Sequence, residues 1–328
     1  MAGRSPEGRS VEPRETPDLE PFLPVRLGVV TAGLLSVLLY LSLLGLPLLG
    51  VFVAPMAAVP VIQVRAGGRP PVLAWGWPAL LLATVAVVGG ATALGVLVGY
   101  LLLVAWPATT AEWWSEGGWT EGRWVAVTTA LGLVLVLALA AALSGGDPVG
   151  ATRALIHRAG LQAEPMYLDL GFGRGEIALM LDRAERTLGW VLPGMLTGYL
   201  VMTLFWLRPR LPFVGLPVEV GPFEQYRNDE WLPAAFAAAG AGTVLLHGVP
   251  RWVAVNALMV VLILCFVQGL AIIRAHVARF VGRGLLVRWG LGLICLQVPL
   301  VFLVAALGMI DSFRSLRPAA VTDDGRNE

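Results

Sequence analysis

This sequence predicts an all-α, polytopic transmembrane bundle of eight or nine spans with one amphipathic interfacial segment, and three observations carry that reading. Seven stretches of 19 or more residues hold no formal charge: Leu27–Val64, Pro70–Ala111, Trp124–Gly146, Thr187–Leu207, Leu232–Pro250, Trp252–Ile273 and Trp289–Ile310. A helix rises about 1.5 Å per residue, so about 20 apolar residues cross a ~30 Å hydrocarbon core. Hydrophobic residues make up 57% of the chain and charged ones 14%, against about 45–50% apolar in soluble domains. Seven such runs leave too little polar surface to cover a soluble core. The runs are also continuous, whereas a transmembrane barrel alternates apolar and polar residues.

The elements follow in order. Residues 1–24 carry Arg4, Arg9 and Arg14 among acids, prolines and serines, the composition of a disordered tail; residues 315–328 read the same way. Between them, 25–314 is expected to form one transmembrane domain. Leu27–Val64 folds as a hairpin with spans near 27–44 and 46–63, turned at Gly45-Leu46-Pro47 and bent by Pro55 and Pro60, because proline removes a backbone donor. Pro70–Ala111 makes spans near 72–88 and 91–106, turned at Gly89-Gly90; one tilted span there gives the count of eight. A short polar loop, 112–123, carries Trp113, Trp114, Trp119 and Trp124 as interfacial anchors.

The stretch 147–186 is the long polar connection. Asp147-Pro148 starts a short helix through Ala159. A second helix from Gly175 puts Ile177, Ala184 and Leu188 on one face and runs, as the amphipathic interfacial segment, into the span 187–207. Spans 232–249, 252–273 and 289–310 complete the set. All 23 basic residues are arginine, and their distribution favours a cytoplasmic N-terminus.

Composition also excludes function classes. A net charge of +1 and acids beside the tryptophans argue against nucleic acid. Gly171-Phe172-Gly173-Arg174-Gly175 lacks the Lys and Ser/Thr of a phosphate loop. Cys265 and Cys295 lie in apolar runs, no Cys/His spacing suits a metal, and no cofactor is expected. The spans show no His-Glu-x-x-His, Ser-His or paired aspartate, so a non-enzymatic protein is expected. Nor does any run hold an ionisable acid of the kind a proton-coupled carrier buries.

What remains is uncharged polarity: Asn256, Gln268, Gln297, Tyr199 and His247. Gln268 beside Gly269 either joins two helices or lines a ligand cavity, and faces the bundle interior in both cases. Gln297, next to Pro299, is expected inward at a kink. The helices 252–273 and 289–310 then become neighbours, joined by the arginine-rich turn 274–288. The loop before Leu232 offers Phe223 and Trp231 as interfacial anchors, Arg227, and Pro233 at a helix start. Asp311 and Arg314 close the last span at the membrane edge and suit a mutual pair, and Asp311 suits a contact with the Arg227 loop.

These motifs resemble the DUF2232 (YybS-like) family of bacterial multi-pass membrane proteins. The matching features are Leu192-Pro193, Pro222-Phe223 with Arg227 and Trp231-Leu232-Pro233, Asn256 with Phe266-Val267-Gln268-Gly269-Leu270-Ala271, and Gly308-Met309-Ile310-Asp311-Ser312-Phe313-Arg314. Here Asn228-Asp229-Glu230 interposes acids and lengthens the loop. The resemblance implies the bacterial cytoplasmic membrane and a distant similarity to substrate-binding subunits of energy-coupling-factor transporters. The function expected is binding or helping to translocate a small molecule, without an ATPase of its own and with an energising membrane partner. The alternative is a structural or scaffolding protein that assembles with envelope partners.

Overall fold

The computed structural model describes residues 28–67, 71–89, 91–280, 297–314 and Leu316. Both tails, apart from Leu316, the residues 281–296 of the expected turn and last span, and Gly90 of the Gly-Gly turn lie outside these. The described residues form helices and no strand. Five helical runs are long and apolar enough to cross a membrane: Leu49–Ala66, Gly95–Gly117, Glu121–Leu143, Arg174–Arg210 and Gly248–Val277. Four apolar helices are shorter: Val29–Leu43, Gly76–Val85, Leu232–Leu245 and Pro299–Phe313. Each of the nine expected spans overlaps one of these helices, but only five of the helices reach spanning length.

The first hairpin forms as its prolines dictate. Helix α1 (Val29–Gly45) breaks at Leu46, and α2 (Pro47–Val53) starts on Pro47. A 3-10 turn at Ala54–Ala57, holding Pro55, bends the chain into α3 (Ala58–Ala66). Helix α4 (Pro71–Gly89) precedes α5 (Ala91–Tyr100), which passes through a π-turn at Leu101–Ala105 into α6 (Trp106–Gly117). Here the structure corrects the tryptophan loop. Because α6 runs to Gly117 and α7 (Glu121–Leu143) begins four residues later, Trp114 and Trp124 face each other across two helices. Their rings stack at 4.7 Å, both are buried, and their indole N–H groups donate to Trp119 O (2.9 Å) and Thr110 Oγ1 (3.3 Å). They are core. Trp113, 41% exposed, keeps the outward position expected of an anchor.

Helix α8 (Pro148–Asp169) is capped as expected, with Asp147 Oδ1 accepting from Gly150 N at 2.9 Å, but continues well past Ala159. After a turn in which Gly171 takes φ +90°, α9 (Arg174–Leu207) runs 34 residues as one helix with Pro193 inside it. At about 1.5 Å per residue that exceeds a ~30 Å core by several turns. The expected interfacial segment is therefore the first half of one long helix. It pairs antiparallel with α8, where Gly160 admits Leu181 and His157 Nδ1 lies 2.8 Å from Glu185 Oε1.

The C-terminal half packs on α11 (Gly248–Phe280). Helix α10 (Leu232–Leu245) lies antiparallel to it, with Gly242 against Ala254. On another side comes α12 (Val298–Phe313), also antiparallel. A Cβ at Gly269 would overlap the Val304 carbonyl, and one at Gly308 the Cys265 carbonyl, so these backbones touch and only glycine fits. The expected neighbour relation of α11 and the last helix holds. Gln297 departs from expectation: it is exposed at the N-cap of α12, its carbonyl accepting from Leu300 N and Val301 N. Pro299 thus sits in the first turn of the described helix, where a missing N–H costs nothing; the expected kink involves residues 289–296, which lie outside the described residues.

Candidate functional site

Prolines free backbone carbonyls inside apolar helices, and an unpaired carbonyl there is costly. Pro193 leaves the Gly189 carbonyl without its helical donor; Trp252 Nε1 donates to it at 3.3 Å. One turn on, Asn256 enters the α9 ladder. Its Oδ1 accepts from Gly194 N (2.7 Å) and its Nδ2 donates to Trp190 O (2.9 Å) and Trp252 O (2.8 Å). The amide bridges the two groups that an uninterrupted helix would pair with each other. Asn256 is fully buried. Tyr199 acts in the same way, its hydroxyl donating at 3.1 Å to Val51 O, the carbonyl that Pro55 leaves behind.

Gln268 faces inward, fully buried, and gathers three segments. Its Oε1 accepts from Asn228 N (3.1 Å) and its Nε2 donates to Asp311 Oδ2 (2.8 Å). Asn228 Nδ2 donates to Leu264 O (2.9 Å) while its Oδ1 accepts from Tyr226 Oη (2.6 Å). Asp311 Oδ1 also accepts from Leu316 N (2.8 Å). Gln268 stands six residues before Arg274, roughly 9 Å inside the charged end of its run. Irregular backbone at 226–228 therefore reaches into the apolar layer, which is tolerable only where protein satisfies it. Asp311, expected at the membrane edge, is 1% exposed: the short α12, held in register by Gly269 and Gly308, carries it to the level of Gln268.

The contacts expected of this loop differ from those found. Asp311 reaches it through Gln268 and the Asn228 amide, while the Arg227 and Arg314 side chains are exposed and outside the network. Phe223 turns inward, edge-on to Phe205 at 5.9 Å and stacked over Tyr226 at 6.5 Å. Trp231, 39% exposed, keeps an outward position, and Pro233 starts α10 as expected. His247 is exposed in the turn after α10. Full burial, with the Glu121 carboxylate adding to it, pushes the Tyr226 hydroxyl well above its ordinary 10.

Helices α9 and α11 run parallel: Gly189 meets Trp252, Gly194 meets Asn256 and Met259, and Gly198 meets Ile263. That register brings Arg208 and Arg274, each closing an apolar run, to the same end. Beyond Gly198 a cleft of about 860 Å³ opens between the helices, walled by Val201, Met202 and Phe205 on one side and Phe266, Val267 and Leu270 on the other. The loop segments Pro209–Phe213 and Val220–Phe223 close its end. Phe223 lies between two guanidiniums, 6.0 Å from Arg208 Cζ and 5.5 Å from Arg274 Cζ. Arg208, buried, pairs with Glu121 (Nη2–Oε2 2.8 Å) and reaches the Gly221 carbonyl. Arg274 Nε pairs with Glu224 Oε1 at 2.6 Å. The sequence signal for this site was two arginines ending runs 187–207 and 252–273, but only the register makes them neighbours.

No curated protein and no solved structure matches the chain. A family model described as "Predicted membrane protein (DUF2232)" matches residues 33–312. That match takes in the hairpin, the Pro193 break, the loop and the Gln268–Asp311 pair, and the chain belongs to this family of predicted membrane proteins.

Proposed function

We propose that the protein is a non-enzymatic membrane protein that binds a small molecule, or helps to move one, in the cleft between α9 and α11. One observation carries this: an apolar cleft of about 860 Å³ with a few polar groups at one end, the form and size usual for small-molecule sites, about 300–1,000 Å³. Having no ATPase of its own, it would work with an energising membrane partner, as in the distant likeness to energy-coupling-factor subunits. The same proposal takes all nine apolar helices as crossings of the bacterial cytoplasmic membrane, with the N-terminus cytoplasmic.

Native mass spectrometry of the purified chain tests it. The expected result is a small molecule retained by the wild type and lost from Val267→Trp, which fills the cleft. Retention unchanged in a folded Val267→Trp sinks the proposal. The scaffolding alternative draws on a different observation, the α8–α9 hairpin with Leu155, Leu161, Leu170 and Leu179 exposed. A stoichiometric protein partner, lost on truncating that hairpin while no ligand is found, would favour it.

A further inference from the structure

Resting on the cleft as a binding site, we infer that its occupant is an anionic amphiphile drawn from the bilayer, with a phosphate or carboxylate head on Arg274 and its chain between α9 and α11. The walls are almost wholly apolar: Val201, Met202, Ile263, Val267 and Leu270 offer no hydrogen-bond donor, and only the weak thioether acceptor of Met202, to a polar body. They suit an acyl or prenyl chain. Polarity is confined to one end, where the two guanidiniums converge on Phe223.

The two arginines are unequal there. Arg208 is 5% exposed; Glu121 takes its Nε and Nη2, and the Gly221 carbonyl takes Nη2 as well. Its side chain closes the floor. Arg274 has a side chain 34% exposed and gives only Nε to Glu224. Among the described residues neither of its terminal nitrogens has a hydrogen-bond partner. A guanidinium presents five donors in a planar fork and binds carboxylate or phosphate along one edge. The Nη edge of Arg274 remains for an anion, with Glu224 holding the plane and Phe223 beside it. Arg274 also stands where the apolar run Trp252–Ile273 ends, the depth of a headgroup when the chain lies deeper.

The test uses the full chain, delipidated in dodecyl maltoside, with dodecyl phosphate as probe and native mass spectrometry as readout. Wild type should take one dodecyl phosphate. Arg274→Gln should lower its occupancy at least tenfold, Arg274→Lys should recover part of it, and Arg227→Gln, exposed on the loop that carries Phe223 and Glu224, should leave it unchanged. Dodecanol and dodecyltrimethylammonium should bind at least tenfold more weakly. Equal binding by Arg274→Gln, or equal binding of the cationic probe, overturns the assignment.

Val267→Trp and Leu270→Trp, each checked for an unchanged melting curve, separate this failure from that of the cleft. If they abolish dodecyl phosphate binding while Arg274→Gln does not, only the anion is wrong. If folded variants keep the probe, the cleft itself is wrong. Extraction from nanodiscs of phosphatidylglycerol, with phosphatidylcholine discs as the control, identifies the source. One phosphatidylglycerol retained per chain supports the assignment as a bilayer phospholipid; dodecyl phosphate bound without it supports the assignment as a single-chain anion.

Discussion

Asn256 and Gln268 are both fully buried amides on α11, three helical turns apart, yet they do different work. Asn256 closes a break. Pro193 interrupts α9, and the amide supplies both a donor and an acceptor at that point, with Gly194 letting it approach. Gln268 organises an opening. It ties the irregular loop before α10 to the end of α12, and the same loop turns Phe223 toward the cleft beyond Gly198. A buried amide in an apolar run therefore does not by itself mark a ligand site. Its partners decide: a single helix in the first case, a loop and the end of another helix in the second.

Four substitutions sharpen or break that contrast. Asn256→Leu should cost most, on the order of 3 kcal/mol, because it leaves the Gly194 N–H and the Trp190 carbonyl buried without the amide. Unfolding in mild detergent measures it, and a loss under 1 kcal/mol would mean that α9 heals itself. Gln268→Leu should cost about 2 kcal/mol by orphaning the buried Asn228 N–H and cutting the link to Asp311. In addition it should loosen the loop, seen as faster hydrogen exchange at 222–230; exchange rising equally at Pro193 would erase the distinction.

Tyr226→Phe should cost about 1 kcal/mol through its bond to Asn228. Its pH signature has a definite sign. The folded state raises the hydroxyl well above 10, so the fold favours the neutral phenol; stability holds below pH 10 and falls as pH rises past it. The difference between wild type and Tyr226→Phe should therefore be flat to pH 10 and shrink above, and a difference that grows there contradicts the burial. Arg227→Gln should be smallest, within about 0.5 kcal/mol as for exposed sites. A larger loss in thermal unfolding would restore a structural role to that side chain.

Part of this was legible in the chain. Pro47, Pro148 and Pro233 marked helix starts, and Gly45 and Gly89 marked ends, because those residues act through their own backbone. Gln268 was expected inward, since an amide facing lipid wastes its donors and acceptor. What failed had a common cause. The sequence places Trp114 and Trp124 in a loop, because their stacking depends on how far α6 extends. Asp311 falls at the edge by sequence because the uncharged run stops at Ile310, while its depth depends on where α12 lies against α11. Gln297 is expected inward because apolarity runs through 289–310, yet it is exposed at the N-cap of α12.

The sequence by itself determined a helical membrane protein, where most helices start, and which few polar side chains must find partners. Those follow from local chemistry: run length against bilayer thickness, proline's missing donor, and the cost of an unpaired amide in an apolar layer. Only the tertiary structure decided which partners they find. Asn256 meets Gly194 across 62 positions and Gln268 meets Asp311 across 43. The parallel register of α9 and α11 that brings Arg208 and Arg274 to one end rests on Gly194 and Gly198 admitting Met259 and Ile263. Such contacts depend on the shapes of two surfaces meeting, and an uncharged run of about 20 residues specifies length without specifying which face meets which.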